Sequence, residues 1–268
     1  MINKRKIDSL KIDNKDKVSI IITNYKKEKY LKYAIRSCLK QEYSNLEIIV
    51  IDDCSNRRKS LNISRVLNDG RVRYFYTKRN YGHYACCNFA MDNALGKYIT
   101  FLGADDEIEP SHIGDLLRAI EHYKLAAVCT LYNRYDKNNI IVRKNKLCEA
   151  SILFDKNDII NKIGYFHMVR FGADSEFRER LIAHYGHKKF GVIQNCSYRS
   201  KLLPNALTTS KKTDGKSIAR SSYVKQFFKN IKNNNLFFNY KFDKMNFILE
   251  EEILVKNFNL NTFREVKL

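Results

Sequence analysis

Apolar residues follow two rhythms along the chain. "VSIIIT" (18–23), "LEIIVID" (46–52), "VRYFY" (72–76), "KYITFLG" (97–103) and "AAVCTLY" (126–132) are compact runs rich in β-branched and aromatic residues. That is the pattern of strands covered on both faces. Between them the apolar positions recur every three or four residues. In 28–41, Leu31, Ala34, Ile35, Cys38 and Leu39 share one helical face. Leu61 to Leu67 predicts another helix, ended by the turn signal "NDG" at 68–70, and 84–95 predicts a third, stopped by Gly96. A fourth, 111–123, follows Pro110 and has Ser111 as its N-cap. The order β-α-β-α-β-α-β-α-β predicts an α/β fold, a mostly parallel sheet flanked by helices. Ligands of such sheets bind beyond the carboxyl ends of the strands.

Past residue 132 the rhythm loosens. Residues 169–186 read as a loop feeding a helix, 191–200 as a strand, and 201–219 as a mobile, polar and basic loop. Residues 222–233 read as a basic amphipathic helix with Val224, Phe227, Phe228 and Ile231 on one side. This stripe suits core or a subunit contact, while Lys225, Lys229 and Lys232 keep a membrane-surface role open.

Composition adds bounds. With 268 residues, 44% of them hydrophobic, the chain can bury the core of one large domain or of a domain with an appendage. No run approaches the roughly 18 apolar residues of a membrane span, and the N-terminal segment lacks the apolar stretch of a secretory signal. The seven cysteines form no CxxC pair and are odd in number, so a reduced, cytoplasmic protein with thiols packed in its core is expected. The net charge of +20 bears on partners, not on fold. Nucleic acid, an anionic membrane face and a phosphorylated small substrate all fit it.

The candidate chemistry lies in "YITFLGADDEIEP" (98–110), where a buried run ends in Asp105 and Asp106. Adjacent carboxylates at a low-dielectric sheet edge repel one another. A lone pair of acids reads most simply as a helix cap and solvated turn. Here Thr23 and Asp52–Asp53 stand at two other strand ends on the same expected edge. A divalent cation resolves the repulsion, and hard oxygen ligands select Mg²⁺ or Mn²⁺, which bridge to substrate phosphates.

The segments "IITNYKK" (21–27), "LEIIVIDD" (46–53) and "GKYITFLGADDEIEP" (96–110), in this order and spacing, closely resemble the GT-A glycosyltransferases of family 2. The resemblance covers residues 17–130 and, more weakly, 165–200. It implies an inverting enzyme that moves a sugar from a nucleotide-sugar, a UDP-sugar in this type, to a hydroxyl of a surface-polysaccharide or lipid-linked glycan acceptor. By the resemblance Thr23 and Tyr25 hold uridine and Asp53 accepts from the uracil N3–H. Asp106 binds Mn²⁺ or Mg²⁺, and Asp105 contacts ribose or a metal-bound water. Asp174, in "RFGADSEFRERL", matches the general base, with Glu176 as fallback; an N-cap role also suits Asp174. The family's basic residue before the asparagine of the third helix is replaced by Cys87, so Lys78 or Arg79 is expected to serve the diphosphate. Tyr198, Arg199 and Lys201 stand where a closing-loop signature belongs.

The expected organisation is a polar leader (1–17), a nucleotide-sugar-binding half (18–132), an acceptor-side half of the same GT-A domain (133–215) and a basic helical extension (216–268). A peripheral place at the inner membrane face fits a lipid-linked acceptor; nucleic acid is not an expected partner. Two rivals remain. A metal-dependent nucleotidyltransferase would want a glycine-rich loop after the first strand, and "TNYKKEKY" has no glycine. A basic nucleic-acid-binding module would need no carboxylates at its ligand edge.

Overall fold

The computed structural model describes residues 1–55, 68–203, 218–241, 255 and 258–266. The helix expected over 61–67 and most of the loop expected over 201–219 lie outside the described residues.

The five apolar runs become β1 (Val18–Asn24), β2 (Leu46–Asp53), β3 (Val72–Thr77), β4 (Tyr98–Gly103) and β6 (Ala127–Tyr135). A two-residue strand, β5 (Glu107–Ile108), follows the acidic turn. The expected strand at 191–200 is β9 (Phe190–Lys201). The sequence reading did not find β7 (Ile141–Leu147), β8 (Leu153–Asp155) and β10 (Phe263–Val266). β8 is too short for a periodic signal, and β7 is a mostly exposed, charged strand without an apolar face.

One sheet runs β10-β3-β2-β1-β4-β8-β6-β9-β5, with β7 paired to β6. β1 pairs in parallel with both β2 and β4, β2 with β3, and β6 with β9. β8 lies antiparallel between β4 and β6, so β6 does not continue the parallel ladder directly.

Alternation along the strands builds two cores. Ile21, Ile49, Ile51 and Phe101 face one side, under α3 (His83–Asn93) and α6 (Ala173–Tyr185). Ile20, Ile22, Ile48 and Val50 face the other, under α2 (Glu28–Leu39) and α4 (His112–His122). Successive side chains of a strand point to opposite faces, so an unbroken apolar run is what a doubly covered sheet requires. Each such fully buried aliphatic side chain stabilises the fold by roughly 1.5–3 kcal/mol.

The polar first segment docks on this body: α1 (Lys4–Asp8) buries Ile7, and Ile2 bridges to Ile193. A short α5 (Lys156–Lys162) follows β8. The basic helix is α7 (Ile218–Lys232). Its Tyr223 and Phe227 enter the first core, Val224 and Ile231 pack against it, and Phe228 is exposed. The apolar stripe is therefore spent largely on core, and α7 is joined to the body rather than hung from it. All seven cysteines are free, five of them buried. Among the described residues no helix is long and apolar enough to cross a membrane.

Candidate active site

Parallel pairing aligns the strand ends. Asn24 lies opposite Asp52, Asp53 opposite Thr77, and Thr23 opposite Gly103. The acids and hydroxyls expected at one edge therefore meet there. A cavity of about 400 Å³ opens over this edge, lined by Thr23, Tyr25, Lys27, Asp53, Asn80, His83, Asp105 and Arg170 among others. That is the size range of small-molecule sites.

Asp53 is buried and accepts hydrogen bonds from the backbone N–H of Tyr81 (2.7 Å) and Gly82 (2.7 Å) and from Asn80 Nδ2 (2.8 Å). The buried Cys86 thiol also favours the charged form of Asp53. Burial raises its pKa, against the lowering effect of these donors. The carboxylate thus shapes the turn leading into α3 as well as lining the cavity. Asp52 is a supporting acid: Asn24 Nδ2, Tyr74 OH and the Ser55 N–H all donate to it. Tyr25 lines the cavity, is 43% exposed and has Lys26 Nζ 4.9 Å from its ring centre.

The acidic pair splits. Asp105 is buried, and its Oδ2 lies 2.7 Å from Lys27 Nζ. Asp106 turns toward β9, accepting from Tyr198 OH (2.7 Å) and the Lys201 N–H (2.8 Å). Tyr198 and Lys201, read from sequence as a closing signature, thus act on the acidic turn itself. Burial, then the neighbouring Asp105 charge, lifts the Asp106 pKa to about 6. Gly103 makes room for the pair: a Cβ there would stand 2.7 Å from Asp106 Oδ2 and 3.4 Å from Asp105 Oδ1.

Asp105 lines the cavity and Asp106 does not, so the two carboxylates beside Gly103 would hold a hard divalent cation by exchanging the Lys27 and Tyr198 contacts for it. Among the described residues no group of three His, Cys, Asp or Glu side chains is gathered for a metal. Asp105 and Asp106 would be the protein's share, the other positions falling to water and substrate phosphate, as is usual for Mg²⁺.

His83 was not expected from sequence. It begins α3, and its Nδ1 lies 2.6 Å from Thr23 Oγ1. Burial pushes its imidazole down to about 4, against the opposing pull of Asp174. Asp174 is the second residue of α6. Gly172, at φ +81°, takes the N-cap position, so Asp174 does not cap the helix. Tyr84 OH donates to Asp174 Oδ1 (2.9 Å) and accepts from the Gly172 N–H (3.1 Å). The Asp174 charge bears on His83, and Asp174 is not among the residues lining the cavity. Glu176, the fallback base, is buried and bound by Arg180, with Arg180 Nη2 2.9 Å from Oε2; it is a structural partner inside α6.

Arg79 is exposed and is not among the residues lining the cavity. The cations that do line it are Lys27 and Arg170. Arg170 Nη1 donates to Asn80 Oδ1 (2.8 Å) and lies over Gly82, whose φ of +90° suits a residue without a side chain. Asn88 positions this arginine's segment: its amide donates to Phe166 O (2.9 Å) and accepts from Phe166 N (3.0 Å). Arg170 is the first residue of "RFGADSEFRERL", so its basic side chain four positions before Asp174 was in plain view in the sequence. Lys27 carries no local signal beyond its place after "TNYK".

Comparison with known proteins agrees with this architecture. An uncharacterized glycosyltransferase of Haemophilus influenzae is 44% identical over 92 residues, 34% of this chain and 37% of that protein. A putative colanic acid biosynthesis glycosyl transferase, WcaA of Escherichia coli K12, is 36% identical over 105 residues, 39% of this chain and 38% of its own length. The chain thus matches less than half the length of these relatives. In fold it is similar to S. aureus TarS residues 1–349 solved with UDP-GlcNAc (TM-score 0.63, 17% identity, 88% of this chain and 68% of that one). It is also similar to the same fragment with UDP (TM-score 0.59, 19% identity, 70% and 61% covered). The sequence pattern described as "Glycosyl transferase family 2" spans residues 19–178, more than half of the chain, and with it the acids and strand ends just described: the chain belongs to that family.

Proposed function

We propose that the chain is an inverting glycosyltransferase that moves a sugar from a UDP-sugar to a hydroxyl of a surface-polysaccharide or lipid-linked glycan acceptor. The observation that carries this reading is the 400 Å³ cavity in which the ends of β1, β2 and β4 bring Thr23, Tyr25, Asp53 and Asp105 together with Lys27 and Arg170. Support comes from TarS, solved with UDP and with UDP-GlcNAc, and from WcaA, described as a colanic acid enzyme.

In this reading uracil stacks on Tyr25, and its N3–H donates to Asp53. Cytosine has no hydrogen at that ring position, so the carboxylate selects uracil. Lys27 and Arg170 offset the charge that grows on the departing diphosphate. A divalent cation bound by Asp105 and Asp106 would supply further positive charge there. Asp174, oriented by Tyr84, takes the proton from the acceptor hydroxyl. As that oxygen bonds to the anomeric carbon, the bond to the diphosphate oxygen breaks and UDP leaves with the electron pair. The enzyme would work at the cytoplasmic membrane face, where α7 presents Lys225, Lys229 and Lys232.

The test is calorimetric titration of UDP with Mn²⁺ and with EDTA, set against CMP and GDP. Binding that prefers UDP and needs Mn²⁺ supports the reading. Absence of UDP binding in both conditions refutes the uridine assignment of Asp53 and Tyr25.

A further inference from the structure

A second cavity, larger at about 630 Å³, lies on the other side of the acidic turn. Its wall is one face of α2: Tyr33, Arg36, Ser37 and Lys40 fall at i, i+3, i+4 and i+7 and all line it. Its floor is β5, tied to that helix by the Ile108 N–H donating to Ser37 Oγ (3.2 Å) and by Gln41 Nε2 donating to Glu109 O (2.8 Å). Its far side is the end of β9, with Arg199 and Lys201, and Tyr135 of β6.

Four cations and two carboxylates meet there. Lys201 is paired with Glu107 (2.6 Å) and Arg199 with Glu109 (3.7 Å). Among the described residues Arg36 and Lys40 have no carboxylate partner, and both are exposed. Tyr33 is 43% exposed, and Arg199 lies 4.2 Å from the centre of the Tyr135 ring. Lys32 (4.8 Å) and Lys201 (5.5 Å) likewise lie over the Tyr33 ring, so the cavity offers unpaired positive charge, cation-flanked aromatic rings and carboxylate acceptors together. A purely phosphate polymer has no hydroxyl donors for Glu107 and Glu109 and no C–H face for the tyrosines. A neutral sugar would leave Arg36 and Lys40 unused. A sugar chain bearing acidic groups answers all three features: anions for the cations, C–H faces for the tyrosines and hydroxyl donors for the carboxylates.

We infer that this cavity binds an acidic glycan strand, and that the acceptor of the transferred sugar is of that class. The inference rests on the reading of the first cavity as the donor site. The two cavities share their partition: Asp105 lines the first, Glu107 and Ile108 line the second, and Lys201 both lines the second and holds Asp106 through its backbone N–H. α2 runs along both, from Lys27 at its start to Lys40 just past its end, about 20 Å of helix at 1.5 Å per residue. A strand anchored on Arg36 and Lys40 thus runs toward the acidic turn where the donor would be held.

The test uses hexagalacturonate, with a carboxylate on every sugar, against neutral maltohexaose, in calorimetric titrations of the full chain. Inorganic pyrophosphate serves as a compact anion. The expected result is salt-sensitive binding of hexagalacturonate, no binding of maltohexaose, and at least a roughly tenfold loss in Arg36→Ala/Lys40→Ala, since charge-assisted contacts are the strong ones. Failure of hexagalacturonate to bind, equal binding of maltohexaose, full displacement by pyrophosphate, or unchanged affinity in the double variant would each overturn the inference. UDP titrated into the same samples separates the two readings. The double variant keeps its UDP affinity if the donor site stands, and loss of UDP binding in the unmodified chain indicts the donor reading instead.

Discussion

The parallel half of the sheet and the mixed half solve the same packing problem by different means. In β1–β4, register alone brings Thr23, Asp53 and the acidic turn to one edge. In β5–β9 most pairings are short and antiparallel, the one long parallel pair, β6 with β9, is broken by a register shift, and side chains do the positioning. Tyr198 and Lys201 reach back to Asp106, while Asn88 grips Phe166 and so fixes the segment bearing Arg170. The ligand edge of the first half is set by backbone topology, and the second half trims it through individual hydrogen bonds. Substitutions in the two halves should therefore fail differently.

The sharpest separation is expected at Asp174. Asp174→Asn should lower transfer by about 10³-fold, within the usual range for a general base, while UDP affinity stays within about twofold because the residue is not among those lining the cavity. Single-turnover kinetics beside a UDP titration reads both numbers. Equal losses in both would merge what the comparison separates.

Next come two buried histidines, one from each half. Burial pushes His83 and His112 each down to about 4 from 6.5. The unfolded chain takes the proton first as pH falls, so their contribution is complete above about 6.5 and is lost on the way down toward 4. At pH 5 each should remove about 2 kcal/mol, at 1.36 kcal/mol per pKa unit. Urea unfolding at pH 7 and pH 5 should show His83→Gln and His112→Gln flattening this slope alike, with only His83→Gln weakening UDP binding.

Gly103→Ala forces the Asp106 carboxylate to move, because the new Cβ falls 2.7 Å from Oδ2, the end of a movable side chain. UDP affinity in Mn²⁺ should drop by roughly 30-fold, about 2 kcal/mol, with little change in melting temperature. Gly70→Ala, where nothing lies within 4 Å of the added carbon, is the matched control and should do neither. Smallest of all, Arg170→Ala should weaken UDP by about tenfold, the scale of one hydrogen bond to a charged group, measured by the same titration. Arg79→Ala should leave it unchanged.

The parallel half was legible because its information is local. An apolar run followed by a polar strand end is written within eight residues, and the spacing of three such runs carried the family resemblance. Asp53 and Asp105 were found that way. What escaped was tertiary. Nothing near "ADD" says that Asp105 faces Lys27 while Asp106 turns to Tyr198. Arg170 is held at the cavity by Asn80, and Asn88 ties Phe166 of its segment across 78 positions of chain. β8 escaped because three residues carry no period, and nothing local shows that Glu176 is buried and held by Arg180, one turn away.

β10 closes the outer edge of β3, pairing Phe263 with Thr77 and Val266 with Tyr74, and stacks Phe263 on Phe89 with ring centres 4.0 Å apart. The strand it covers, "VRYFYT", is aromatic, without proline, and a ready template for any passing extended segment. On the ribosome that template emerges long before its own cover is made. Until residues 263–266 arrive, the nascent chain carries an unpaired, sticky edge, so the yield of soluble protein depends on how well that edge is shielded during synthesis.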